Sequence, residues 1–192
     1  MNQKTEQKQK SREAILASAA TLLRERGITA SSVSDVMKGA GLTVGGFYNH
    51  FDSKEALFAE TIRSSASTLW NKLLASAKGD SPRERVGSVL SRYLSRVHRD
   101  QADPGCLLPN TVPEASREGE PYLSALEAEL TGFVDSLGAM LGEDVGRREK
   151  ALGLIALMYG ALSLARAVRG TSLSDDVLQA AKKLGERALA AD

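Results

Sequence analysis

Cysteine is nearly missing from this chain: one thiol, Cys106, in 192 residues. A single thiol excludes an intramolecular disulfide and any cysteine-cluster metal site. Histidine is almost as scarce, His50 and His98 being the only imidazoles. No Cys–His–carboxylate constellation, phosphate-cradling loop or metal motif is legible, so an enzyme with Cys106 as nucleophile is a remote reading and no cofactor is expected. Aromatic residues make up 5% of the chain and there are five prolines. With sustained apolar periodicity, that predicts a mostly helical protein. A dominant charge is lacking too: the net charge is +1. The first fifty residues hold seven Lys/Arg against four Asp/Glu, a mild excess that does not by itself reveal a nucleic-acid binder. No apolar run approaches the length of a transmembrane helix. The start, MNQKTEQKQK, has no apolar core of a signal peptide. The expectation is a cytoplasmic protein with no membrane partner.

What is present is concentrated in residues 27–56, GITASSVSDVMKGAGLTVGGFYNHFDSKEA. Ser32 can cap a first helix running to about Gly39, with Val33, Val36 and Met37 at helical spacing. Gly39, Ala40 and Gly41 form a small-residue turn. Thr43 can cap a second short helix, Val44 to about Asn49, and Phe47 and Phe51, four apart, can turn inward together while Tyr48 points elsewhere. Ser53 opens a third, longer helix. Helix, tight glycine turn and short helix is the pattern of a helix-turn-helix, whose second helix enters the major groove of DNA.

Around this stretch, residues 1–10 read as a flexible polar arm. Ser11 to Arg26 reads as a first helix with Ile15, Ala19, Leu22 and Leu23 on one side and Gly27 as its stop. Ser53 to about Lys78 is the connecting helix. Gly79-Asp80-Ser81-Pro82 breaks the chain, and Pro82 to about Arg99 is the next helix. Asp103-Pro104-Gly105 is a second break, followed by a proline-interrupted segment to about Arg117. A further helix starts at Pro121. The helix from Arg148 to Val168 is apolar nearly all round, and a helix like that must be covered on several sides. It and the last helix, capped by Ser174, form a pair expected to meet a second copy of the chain.

The run AGLTVGGFYNHFDSKEAL, with Gly27, Ser31, Ser32 and Val36 before it, closely resembles the DNA-binding domain of the TetR family of bacterial transcriptional regulators. Met37 departs from the family's usual alanine. The resemblance covers about the first sixty residues. It implies an all-α fold of about nine helices: a three-helix DNA-binding domain at 11–52 and a ligand-binding and dimerisation domain at 53–192. The last two helices, 146–190, would form a four-helix bundle with those of a partner in a homodimer. The DNA-binding residues it implies are Ser31, Ser32, Thr43, Val44, Gly45, Gly46, Tyr48, His50 and Lys54. Their chemistry fits: Thr43, Tyr48, His50 and Lys54 can meet phosphates, Val44 can touch a thymine methyl, and Gly45 and Gly46 let the backbone approach the bases. Ser31 and Ser32 would anchor the first helix of the motif to the DNA backbone.

The expected partner is a double-stranded operator with an approximate inverted repeat, because dimer symmetry is mirrored in the site. The main reading is a repressor released by an unknown small-molecule effector or by modification of Cys106. An activator or architectural DNA-binding protein is the alternative. The candidate lining of a ligand pocket is Trp70, Tyr93, Val97, Cys106, Leu107, Phe133, Met158 and Tyr159, each of which also fits plain core. The run GCLLPNTVPEASR resembles a subgroup of the family in which Gly-Cys opens the segment after the fifth helix and some members respond to electrophiles or oxidants. A thiol at a helix N-terminus would be more reactive; a small buried apolar residue is the competing role for Cys106.

Overall fold

A computed structural model describes residues 3–100, 105–143 and 146–190. Every regular element among them is a helix: α1 (Gln3–Arg26), α2 (Val33–Gly39), a 3-10 helix (Val44–Asn49), α3 (Lys54–Ala75), α4 (Pro82–Tyr93), α5 (Arg96–Asp100), α6 (Leu108–Glu118), α7 (Tyr122–Leu141), α8 (Arg147–Ala167) and α9 (Ser172–Ala190). The all-α expectation holds. The chain divides into two compact units, Met1–Ser67 with Cys106–Ala128, and Thr68–Gly105 with Glu129–Asp192. The first takes in more than the 11–52 segment, adding the start of α3, the whole of α6 and the start of α7.

In unit 1, Ile15, Ala19, Leu23, Val36, Met37, Phe47, Leu57, Phe58 and Ile62 are sealed from solvent. Phe47 and Phe51 turn inward together as expected, their rings stacked with centroids 6.0 Å apart. The Arg12 guanidinium lies 4.6 Å from the Phe51 centroid and forms a two-pronged pair with Glu60, one prong 2.5 Å long. It ties α1 to α3 and covers the aromatic pair. The Ser32 hydroxyl accepts from the Asp35 N–H at 3.1 Å, and the Ser53 hydroxyl accepts from the Ala56 N–H at 3.0 Å. Both caps satisfy donors that a first helical turn leaves free.

Three expectations about helix limits change. Residues 3–10 continue α1 instead of forming an arm. Gln, Lys and Glu are good helix formers, and the pairs Glu6–Lys10 (3.6 Å) and Gln9–Glu13 (2.9 Å) support the exposed turns. Met1 and Asn2 lie outside the described residues, as do Asp103 and Pro104 of the expected break. The helix expected from Pro82 to Arg99 is two helices: Leu94 leaves the helical region (φ −85°, ψ 50°) and the Ser95 hydroxyl caps α5 through the His98 N–H at 3.1 Å. Lastly, α8 is by length and composition long enough and apolar enough to cross a membrane, with 39% of its apolar window buried. The expectation that no run reaches that length is corrected here, because the charges of this helix are confined to its ends.

In unit 2, α8 and α9 pack along each other and leave apolar side chains uncovered. Leu152 and Leu164 on α8 are 48% and 61% exposed, and Leu173 and Leu184 on α9 are 55% and 56% exposed. The opposite side of α8, with Leu154, Met158, Leu162 and Ala165, is buried.

Candidate nucleic-acid interface

The 3-10 helix is oriented by its aromatic residues. Phe47 is fully buried, while its neighbour Tyr48 is 75% exposed and meets Phe47 edge-on at 5.1 Å. With that face pinned, Thr43, Val44, Gly45, Tyr48 and Asn49 face outward and Gly46 is half-buried. Thr43 occupies the cap position without a side-chain capping bond. A Cβ at Gly45 would meet nothing within 4 Å, and one at Gly46 would make only ordinary contacts with Thr43 and Met37. Nothing inside the protein therefore requires glycine at 45.

His50 closes the segment, half-buried, with no hydrogen-bond partner for Nδ1 among the described residues. Burial, with Lys8 and Arg12 nearby, holds its pKa below the ordinary imidazole value. Lys54 is half-buried at the head of α3, its Nζ 5.4 Å from the Phe58 ring centroid. Ser32 is exposed and spends its hydroxyl on the α2 cap, donating also to Asp35 at 2.8 Å. Ser31 does not share this surface: it is 1% exposed and its hydroxyl donates to the Gly27 carbonyl at 2.7 Å. Its side chain secures the turn between α1 and α2, and the expected DNA contact is withdrawn.

That turn carries a feature with no periodic signature in the sequence. Gly27 has φ +78°, a region that favours glycine, and its missing Cβ leaves room for the Glu114 carboxylate. Glu114, on α6, accepts from the N–H groups of Ile28 and Thr29, and Asn110, one turn earlier, donates to the Arg24 carbonyl. Two side chains of α6 thus satisfy the backbone where α1 ends and the helix-turn-helix begins. The partners are about 86 residues apart in the chain, so no local pattern could have shown them.

Of the pocket candidates, Trp70, Tyr93, Phe133, Met158 and Tyr159 belong to unit 2, and Cys106 and Leu107 to unit 1. Val97 is 64% exposed and lines no interior. Cys106 is 2% exposed and lies two residues before α6. In unit 2 the Trp70 and Phe133 rings stack at 3.8 Å, Tyr93 lies 5.9 Å from Trp70, and His98 meets Tyr93 edge-on at 4.4 Å. His98 is buried, and its Nδ1–H donates to the Tyr93 carbonyl at 2.8 Å, which leaves Nε2 as an acceptor in the neutral ring. Burial pushes its pKa below the ordinary value; the Tyr93 carbonyl opposes that shift and Arg166 adds to it.

Alpha5 is in turn bound to α8 and α9. Arg99 donates to Ser174 and Asp175, both at 2.8 Å, and Arg166 donates to the carbonyls of His98 and Arg99, both at 3.2 Å. Pairing with Asp100 and Asp175 raises the pKa of Arg99, and the pair with Arg99 lowers that of Asp100.

Residues 15–61 match the family described as "Bacterial regulatory proteins, tetR family". The chain is 43% identical over 58 residues to the HTH-type transcriptional repressor KstR2 of Rhodococcus jostii (strain RHA1), a match covering 30% of this chain and 28% of that protein. It is 28% identical over 144 residues to the HTH-type transcriptional repressor NemR of Escherichia coli (strain K12), covering 73% of this chain and 71% of that one. Against KstR2, then, the chain matches well under half of the relative's length. The crystal structure of reduced E. coli NemR superposes with a TM-score of 0.76 at 26% identity, over 90% of this chain and 95% of that one. A TetR-family regulator structure from Rhodococcus sp. superposes at 0.77 and 19% identity, over 94% and 99%.

Proposed function

We infer that this chain, a member of the TetR family of bacterial regulatory proteins, is a homodimeric transcriptional repressor that leaves an inverted-repeat operator when a small molecule binds unit 2. The observation that carries the DNA-reading part is the outward face of residues 43–48. Phe47 anchors it, and the surface left free is a hydroxyl, a valine methyl pair, a bare backbone and a phenol. Such a face suits close backbone approach and phosphate contacts better than dense base readout. Bidentate readout is the stronger source of discrimination, and the segment offers no Arg, Asn or Gln before Asn49. Val44 against a thymine methyl and sequence-dependent DNA shape would supply much of the specificity.

The uncovered leucines of α8 and α9 support pairing of this helix pair with its copy. A dimer would set two reading segments against two half-sites about one helical turn apart, or a multiple of it. Alpha3 begins in unit 1 and ends in unit 2 as one unbroken helix of 22 residues, about 33 Å long. With α7, which also runs from unit 1 into unit 2, it would carry a change in the body to the reading head. To move most of the population, the effector must favour the released state by about 5 kcal/mol.

The test is transcription in vitro from a promoter carrying the bound operator. Repression is expected, and it should be lost with Tyr48→Ala. Transcription that rises on addition of the protein would replace the reading with that of an activator.

A further inference from the structure

Unit 2 buries two complementary polar groups that no atom of the described residues answers. Trp70 is 5% exposed and its indole N–H has no acceptor among the described residues; His98 is 7% exposed and its Nε2 has no partner there either. Leaving such a group unmet is expensive. The two belong to one aromatic cluster, with the Tyr93 ring 5.9 Å from Trp70 and 4.4 Å from His98. The tautomer of His98 is fixed by the Tyr93 carbonyl, so one group is a donor and the other an acceptor.

Resting on the effector reading above, we propose that Trp70 and His98 frame the effector site, and that the effector is a neutral aromatic compound bearing an acceptor at one end and a hydroxyl donor at the other. The indole N–H donates to the acceptor, a carbonyl for instance. The hydroxyl donates to His98 Nε2. The body of the molecule lies along Tyr93, beside the Trp70–Phe133 stack. An anionic ligand is disfavoured, because a bare Nε2 lone pair repels an anion and the depressed pKa keeps the ring neutral. Occupancy at His98 also bears on the dimer helices. Alpha5 has only five residues, and its backbone and side chains are held by Arg166 of α8 and by Ser174 and Asp175 of α9.

Trp70 is the only tryptophan, so intrinsic fluorescence reports the site directly. The probes are 4-hydroxyacetophenone, acetophenone, which lacks the hydroxyl, and 4-ethylphenol, which lacks the carbonyl. They are titrated into the full-length protein by fluorescence and by calorimetry. The first should bind saturably, and each of the others about tenfold more weakly, since each leaves one buried group unmet. In His98→Phe the penalty for losing the hydroxyl should disappear while the penalty for losing the carbonyl stays. Comparison across probes on the unmutated protein keeps the test valid if His98→Phe fails to fold. No saturable binding of 4-hydroxyacetophenone, or equal binding of all three probes, overturns the proposal. Operator binding measured in parallel separates the failures: protein that still binds its operator but not the probe refutes this site alone, whereas protein that binds no operator refutes the regulator reading.

Discussion

The 3-10 helix of unit 1 and the α8–α9 pair of unit 2 both present apolar surface to solvent, and they do so differently. Around the 3-10 helix the exposed apolar groups are few and mixed with hydroxyls and bare backbone; Val44 is 50% exposed and sits between Thr43 and Gly45. On α8 and α9 the exposed groups are leucines spread along two helices, and the facing side of each helix is already buried. The first kind of surface suits a wet, charged partner whose backbone it must approach. The second suits a dry partner that repeats the same side chains. Unsatisfied surface therefore separates the face proposed to meet DNA from the face proposed to meet a second copy, where net charge, at +1, separates nothing.

The largest test of this contrast is Leu164→Arg. Leu164 is 61% exposed, so the subunit should still fold, with a lower melting temperature that reflects only the lost dimer contribution. Sedimentation should show a monomer, and affinity for an inverted repeat should fall about a hundredfold or more, since a second half-site then adds nothing through linkage. An unchanged dimer would move the interface away from this pair.

Next in size is Gly27→Ala. The positive φ and the Glu114 carboxylate both oppose a Cβ, and a loss of about 1–3 kcal/mol in denaturant unfolding is expected. Glu114→Ala should cost less, about 1 kcal/mol, yet should loosen the start of the helix-turn-helix. Hydrogen exchange at Ile28 and Thr29 would show it as faster exchange at those amides.

On the face proposed to meet DNA, Gly45→Ala separates packing from binding. Stability should stay within about 0.5 kcal/mol, because the added methyl meets nothing. DNA affinity should drop. Lys54→Ala should weaken binding to all sequences about equally and reduce the salt slope by about one.

The smallest effect is in pH dependence. His98 is held below its ordinary pKa by burial, so the unfolded chain binds a proton near pH 6.5 that the folded chain refuses. Stability should be full above that range and decline as pH falls below it, until the lowered folded pKa is reached. His98→Asn should flatten this decline. His50, shifted the same way, should account for part of what remains.

Much of unit 1 was legible because its determinants are local. The Ser32 cap, the Phe47–Phe51 pair and the Gly27 stop each lie within one turn of what they organise. Ser31, a DNA contact only by what the family resemblance implies, has no local signal of its burial: its hydroxyl satisfies a carbonyl four residues back. The break between α4 and α5 has no glycine or proline to mark it; only Ser95, three residues before His98, hints at a new cap. The Asn110–Glu114 contacts and the unmet atoms of Trp70 and His98 depend on residues far apart in the chain, and periodicity carries no trace of them.

Selection of bound duplexes from a random pool, with the purified protein at near-physiological salt, tests the central claim most directly. The account predicts an enriched inverted repeat whose half-sites are one helical turn apart, or a multiple of it, and whose enrichment disappears with Leu164→Arg. A pool that enriches no motif, or only a single unrepeated half-site, would contradict it.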